Sequence, residues 1–178
     1  MAVVALALAI PLGSSGKEAA MTLTLSSPAF ASGASMSSRH TCDGDEVSPA
    51  LHWSDTPAGT KSYALIVDDP DAPDPAAPRR TWVHWVLYDM PAATRGLPEA
   101  VSAAKLPPGT RQGVNDWNRT GYGAPCPPKG RHRYVFKLYA LDRTLPDLHQ
   151  PGKAQLLKAM EGHVVAHAEL IGTYQRGH

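Results

Sequence analysis

Apolar and polar positions alternate in short bursts along this chain, and proline and glycine separate the bursts. Residues 22–26, Thr-Leu-Thr-Leu-Ser, repeat with period two and predict a strand. Leu51-His52-Trp53 predicts a second, short one, and Thr56-Pro57-Ala58-Gly59 turns the chain after it. Residues 62–67 form a continuous apolar run with β-branched members, the mark of a strand buried on both faces. It stops at Asp68-Asp69-Pro70, and Pro70, Pro73, Pro75 and Pro78 stiffen the long loop that follows. Residues 82–88 predict the clearest strand, with Trp82, His84, Val86 and Tyr88 on one face and Val83, Trp85 and Leu87 on the other. Residues 92–120 hold little periodicity beyond a short strand near Gln112. Residues 132–141 predict another long strand, with His132, Tyr134, Phe136 and Leu138 on one face.

From Lys153 the period changes. Leu157, Met160, Val164, Ala168 and Ile171 follow helical spacing, so the pattern predicts a helix over 153–174, with Gly162 the place for a break. Strands first and a helix last predict a mainly β domain of sandwich-like antiparallel sheets with a peripheral C-terminal helix.

Composition narrows the function more than the fold. With 178 residues and 43% apolar content, one domain with a real core is expected, spanning 21–178. A net charge of +1, with no basic stripe, gives no electrostatic case for nucleic acid. Residues 1–20 differ from the rest: an apolar stretch from Ala2 to Leu12 is too short to span a bilayer and is similar to the middle of a secretory signal. No Lys or Arg precedes it, and Glu18-Ala19-Ala20 is a poor cleavage site. The segment is read as a leader or unfolded extension. The protein is periplasmic or secreted if it acts as a signal and cytoplasmic otherwise. No transmembrane segment is expected. The two cysteines, Cys42 and Cys126, make no Cys-x-x-Cys; they form one disulfide in an exported protein or stay as two thiols near one site.

The candidate chemistry sits at strand ends. Asp69-Pro70-Asp71 holds two carboxylates beside a rigid proline, an arrangement that alone reads as a capping turn. His84 lies inside a strand between Trp82 and Trp85. His132 opens a strand after a loop of Gly and Pro, and Tyr134 shares its face. Should His84 and His132 meet Asp69, the carboxylate would favour charged imidazoles. Such rings, a tyrosine hydroxyl and loop N–H groups suit an anion, and a neighbouring aspartate suits a small cationic tail. Two alternatives carry less weight. His84, His132 and Asp69 could in principle form a two-histidine, one-carboxylate metal site. His163 and His167, one turn apart on the predicted helix, lack the glutamate of a zinc-protease helix. No Gly-x-Ser-x-Gly, phosphate-loop or dinucleotide motif occurs.

These segments together resemble the signature of the phosphatidylethanolamine-binding protein family. The residues are Asp69-Pro70-Asp71-Ala72-Pro73, Trp82-x-His84, Gly123-x-Pro125-x-Pro127-Pro128-x-Gly130 and His132-Arg133-Tyr134. Ser48-Pro49-x-Leu51-x-Trp53 and Leu138-Tyr139-Ala140-Leu141-Asp142 are similar to its bacterial, Raf-kinase-inhibitor-like branch. The resemblance implies a β-sandwich-like fold with a small anion pocket built from Asp69, His84, Pro128, His132 and Tyr134, with Asp71 beside them and the loop of Gly123 and Pro125 around it. Only three residues separate Pro128 from His132, shorter than in many relatives, which makes Arg131 a further candidate at the lip.

The expectation is a non-enzymatic, monomeric or weakly dimeric protein that binds a small phosphate-bearing ligand without metal or cofactor. One alternative is a module that inhibits a kinase or protease, with Arg79 and Arg80 in its docking surface. Another is a hydrolase using His/Asp acid–base chemistry, for which no nucleophile is evident.

Overall fold

The computed structural model of the protein describes residues 22–177; the leader predicted at 1–20 lies outside them. Among the described residues, eight strands and one α-helix follow in the order β1 (Thr24–Ser26), β2 (Leu51–Ser54), β3 (Ser62–Asp69), β4 (Trp82–Pro91), β5 (Gly96–Leu97), β6 (Arg111–Gln112), β7 (His132–Leu141), α1 (Lys153–Met160) and β8 (Val164–Tyr174). They form a five-stranded sheet in the order β6-β4-β3-β7-β8 and a three-stranded sheet in the order β1-β2-β5. All strand pairings in both sheets are antiparallel.

The apolar run of β3 is explained by its central place, since all eight of its residues are buried. Tyr63, Leu65 and Val67 face the small sheet and pack with Trp53, Leu51 and Leu25. Ala64 and Ile66 face the other way, into a second cluster with Leu156 and Met160 of α1. Asp68 lies on that second side, where Lys137 of β7 and Lys153 of α1 pair with its buried carboxylate.

The predicted alternation of residues 82–88 breaks at one residue. Val67 pairs with Trp85, yet Asp68 pairs with Val83, so His84 is the extra residue of a β-bulge. The bulge reverses the faces before it: Val83 joins Val86 and Tyr88 in the second cluster, while Trp85 and Leu87 enter the first. His84 therefore does not share a regular face with Val86 and Tyr88.

The predicted helix over 153–174 is half helix and half strand. α1 ends at Met160, and β8 runs antiparallel to β7 with Tyr134 opposite Gly172 and Phe136 opposite Leu170. Its inward positions are Ala166, Ala168, Leu170, Gly172 and Tyr174, a period-two set made mostly of small residues. A β-carbon on Gly172 would come within 2.5 Å of the Met36 sulfur, so the position takes no larger side chain without a shift. Val164 and Val165 are exposed. Small inward and large outward residues disguise the strand as helical spacing. His163 and His167 accordingly share no helix face: His163 bonds Asp142 at 3.0 Å, and His167 stacks on Tyr139. Among the described residues no helix is long and apolar enough to cross a membrane.

Candidate functional site

The end of β3, the bulge of β4 and the start of β7 meet around one cavity of about 480 Å³. Asp69, His84, His132 and Tyr134 line it, with Pro128 and Pro127 in one wall and Trp82 and Trp117 in another. Ala72, Pro73, Cys126, Arg79 and Arg80 complete it.

Asp69 is fixed on both oxygens. Oδ1 accepts from the Asp71 N–H at 2.7 Å across Pro70, a tight turn of the kind Asp-Pro favours. Oδ2 lies 2.6 Å from His132 Nδ1. The other nitrogen of that ring, Nε2, lies 3.0 Å from the Lys129 carbonyl. Both ring nitrogens of His132 face oxygen acceptors, so neither is left to reach a ligand; the ring braces the loop that carries Pro128. Gly130 lets that loop turn, with a φ of +75° and Pro75 against it.

Asp71 stands behind the wall rather than in it. Arg133 grips it through Nε at 2.9 Å and Nη2 at 2.6 Å, and the Arg133 N–H adds a bond at 2.8 Å. The Arg133 side chain is the main cause that holds the Asp71 carboxyl below the usual carboxylate range. A carboxylate so neutralised is not offered to a cationic tail.

His84 lines the cavity with one ring nitrogen, Nε2, free of any hydrogen bond among the described residues. Its Nδ1 donates to the Gly123 carbonyl at 2.7 Å, and the Gly123 N–H donates back to the His84 carbonyl at 2.8 Å. The rings of Trp117 and Tyr134 stand edge-on to it, with centroids at 5.1 and 5.2 Å. Burial pushes its pKa down, against the opposing pull of the Gly123 carbonyl and Asp69. The charged imidazole expected at position 84 is thus corrected: desolvation outweighs the nearby carboxylates, and the ring is held neutral.

Two cavity-lining residues carry buried donors without a hydrogen-bond partner, the Tyr134 hydroxyl and the Trp82 Nε1–H. Burial raises the Tyr134 pKa, so the phenol keeps its proton. Arg80 lies over the Trp82 ring with Cζ 3.9 Å from its centroid. Arg79 and Arg80 make no ion pair among the described residues. Arg131 turns elsewhere, its Nη1 reaching the Thr173 hydroxyl at 3.5 Å.

Cys42 and Cys126 form a disulfide, so the alternative of two thiols does not hold. It ties the cavity wall to the turn after residue 41, and the Cys42 N–H donates to the Pro125 carbonyl at 3.0 Å. Pro125 and Gly123 act from behind the wall, through these backbone bonds.

Sequence reasoning missed Trp117. It sits in a stretch without periodicity, on a turn where Asn115 Oδ1 accepts from the Trp117 N–H at 3.0 Å. Asp116 Oδ2 then bonds the Val83 N–H at 2.9 Å, which docks the turn on β4. The cluster Asn115-Asp116-Trp117-Asn118 was the available signal, a turn composition built around one large aromatic. Among the described residues no group of three or more His, Cys, Asp or Glu side chains converges as a metal site would require.

Comparison with known proteins adds the lineage. A family model described as phosphatidylethanolamine-binding protein matches residues 26–175. A UPF0098 protein of Methanothermobacter thermautotrophicus is 49% identical over 158 residues, covering 87% of this chain and all of that one. A UPF0098 protein of Chlamydia muridarum is 42% identical over 154 residues, covering 86% of this chain and 99% of its own length. Among solved structures, a phosphatidylethanolamine-binding protein homologue from Chlamydia trachomatis superposes with a TM-score of 0.81 at 39% identity, over 88% of this chain and 99% of that one. YbcL of E. coli superposes with a TM-score of 0.78 at 33% identity, over 87% and 99%.

Proposed function

This chain belongs to the phosphatidylethanolamine-binding protein family, and we propose that it is a non-enzymatic binding protein whose pocket takes a small phosphate-bearing ligand. One observation carries the reading: a single cavity gathers the unbonded Nε2 of His84 with Arg79 and Arg80 at its edge. Two guanidinium groups beside one small cavity suit an acceptor-rich anion, to which they offer charge-assisted hydrogen bonds. The pocket's histidines support binding rather than turnover. Both nitrogens of His132 and the Nδ1 of His84 are committed to fixed acceptors, which suits positioning more than proton shuttling.

Phosphoethanolamine is the natural first probe, with inorganic phosphate beside it. Titration calorimetry with the wild type and His84→Ala tests the site. Saturable binding that weakens by about fivefold to tenfold without the imidazole supports it, as loss of one hydrogen bond to a charged group would give. No saturable heat with either probe in the wild type, together with no change in the His84 ring resonances, would remove the proposal.

The unpaired arginines favour a second reading, in which the phosphate belongs to a loop of a kinase or protease and Arg79 and Arg80 meet its acidic flanks. Arg79→Ala/Arg80→Ala would then weaken binding of an acidic phosphopeptide far more than binding of inorganic phosphate.

A further inference from the structure

One nitrogen in the cavity has the wrong polarity for a fully ionised anion. His84 Nδ1 spends its hydrogen on the Gly123 carbonyl at 2.7 Å, so the neutral ring presents a lone pair at Nε2. Among the described residues nothing hydrogen-bonds Nε2, and it is not one of the buried atoms shut away from solvent. It is reached from the cavity that His84 lines, although the residue as a whole is only 3% exposed.

The surroundings decide whether that nitrogen gains a proton. Asp69 lines the cavity with the ring, while Asp68, on the other side of β3, and Asp116, whose carboxylate bonds the Val83 N–H, act on it through their charge. Tyr134 of β7 and Trp117 cover it with uncharged rings, while Arg79, Arg80 and His132 line the same cavity. The carboxylates favour the charged ring, but burial is the larger effect and favours the neutral one.

We infer that the pocket selects an anion that brings its own proton at neutral pH, a phosphomonoester, and discriminates against sulfate esters and phosphodiesters. This inference rests on the anion-pocket reading above. A phosphomonoester has a second pKa of about 6, so its monoprotonated form is accessible near neutral pH. Its P–OH donates to His84 Nε2, and its remaining oxygens accept from Arg79 and Arg80, which line the same cavity. A sulfate ester or a phosphodiester has no such proton and sets an oxygen lone pair against the Nε2 lone pair. Protonating His84 instead is opposed by its burial. An intact phospholipid head, which is a phosphodiester, is therefore a poorer ligand than the monoester that shares its ethanolamine end.

Three matched probes test this at neutral pH on the full chain: phosphoethanolamine, glycerophosphoethanolamine and 2-aminoethyl hydrogen sulfate. The expected result is that the monoester binds at least about tenfold more tightly than either of the others, the cost of leaving one buried acceptor unpaired. Affinities for all three within about twofold of one another would overturn the selectivity while leaving the pocket reading intact. Failure of all three to bind would overturn both. In His84→Gln the side-chain amide supplies an N–H donor, so the preference should collapse; a preference that persists would place the discriminating acceptor elsewhere. Nitrogen NMR of the wild type gives a check independent of any variant. In the phosphoethanolamine complex, His84 Nε2 keeps the shift of an unprotonated imidazole nitrogen, and an imidazolium shift there would sink the inference.

Discussion

The carboxylate of Asp69 and the imidazole of His132 meet at 2.6 Å, between the last residue of β3 and the first of β7. Both residues are buried, and the other ring nitrogen holds the Lys129 carbonyl. The pair therefore couples a strand end to the loop that forms the pocket wall. Asp69→Asn keeps the shape and removes the charge. It is expected to lower stability by about 1–3 kcal/mol, the range for weakening a buried bond to a charged group. Urea unfolding with an unchanged m-value would read this as a shifted midpoint. A midpoint equal to that of the wild type would show that the pair does not hold the strand ends together.

Gly123 makes a different test of the same wall. A β-carbon there would lie 2.4 Å from a ring carbon of Trp117 and 3.2 Å from the His84 carbonyl oxygen. Trp117 is 39% exposed, so its ring has room to swing outward. Gly123→Ala is therefore expected to cost only about 1 kcal/mol, the low end for overpacking. The larger effect falls on tryptophan fluorescence, which should shift to the red as Trp117 leaves the wall. An unshifted spectrum would mean that the wall yields somewhere other than Trp117.

Much of this architecture was legible in the residues. The double burial of β3 showed in its unbroken apolar run, and the inward face of β7 showed in its alternation. The site segments were legible through their prolines and through the resemblance they carried. What escaped notice shares one physical cause: pattern reading assumes regular spacing and large inward side chains. The bulge at His84 breaks the spacing, and nothing local in Trp82-Val83-His84-Trp85 announces the extra residue. β8 breaks the second assumption, because Ala166, Ala168 and Gly172 face inward where space is short. The neutral state of His84 was equally hidden, since burial is a property of the folded molecule and the carboxylates nearby argue for the opposite charge.

That neutral histidine makes stability depend on pH with a definite sign. The pKa of His84 is lowered in the native state, from an ordinary value of about 6.5 in the unfolded chain. Below that value the unfolded state binds a proton that the native state resists, so stability falls as pH drops beneath about 6.5. The loss stops once pH passes below the native-state pKa, and above the unfolded value the full contribution is present. The difference in unfolding free energy between wild type and His84→Gln, measured from pH 8 down to 5, isolates this residue from the other histidines. The wild type should lose stability relative to the variant only over the acidic part of that range. A constant difference would mean that His84 ionises alike in both states.

The disulfide between Cys42 and Cys126 closes a loop with a sequence separation of 84. In the chain-entropy account, a closure that long restricts the unfolded chain strongly, and removing such a bond costs about 2–5 kcal/mol. The native wall keeps other support, since the Cys42 N–H still donates to the Pro125 carbonyl. The fold is thus expected to survive reduction with a lower melting temperature, and Cys42→Ser/Cys126→Ser should reproduce that lowering and be indifferent to reductant. The wall itself should loosen as well, because Cys126 lines the cavity and its neighbours Pro127 and Pro128 are held through it. Phosphoethanolamine should then bind more weakly to the double variant, at a temperature where both proteins are folded. Equal melting temperatures for oxidised protein and for protein shown by thiol titration to be reduced would remove the stabilising role. A lowered melting temperature with unchanged affinity would confine that role to the unfolded chain and leave the pocket wall to the backbone bonds and to His132.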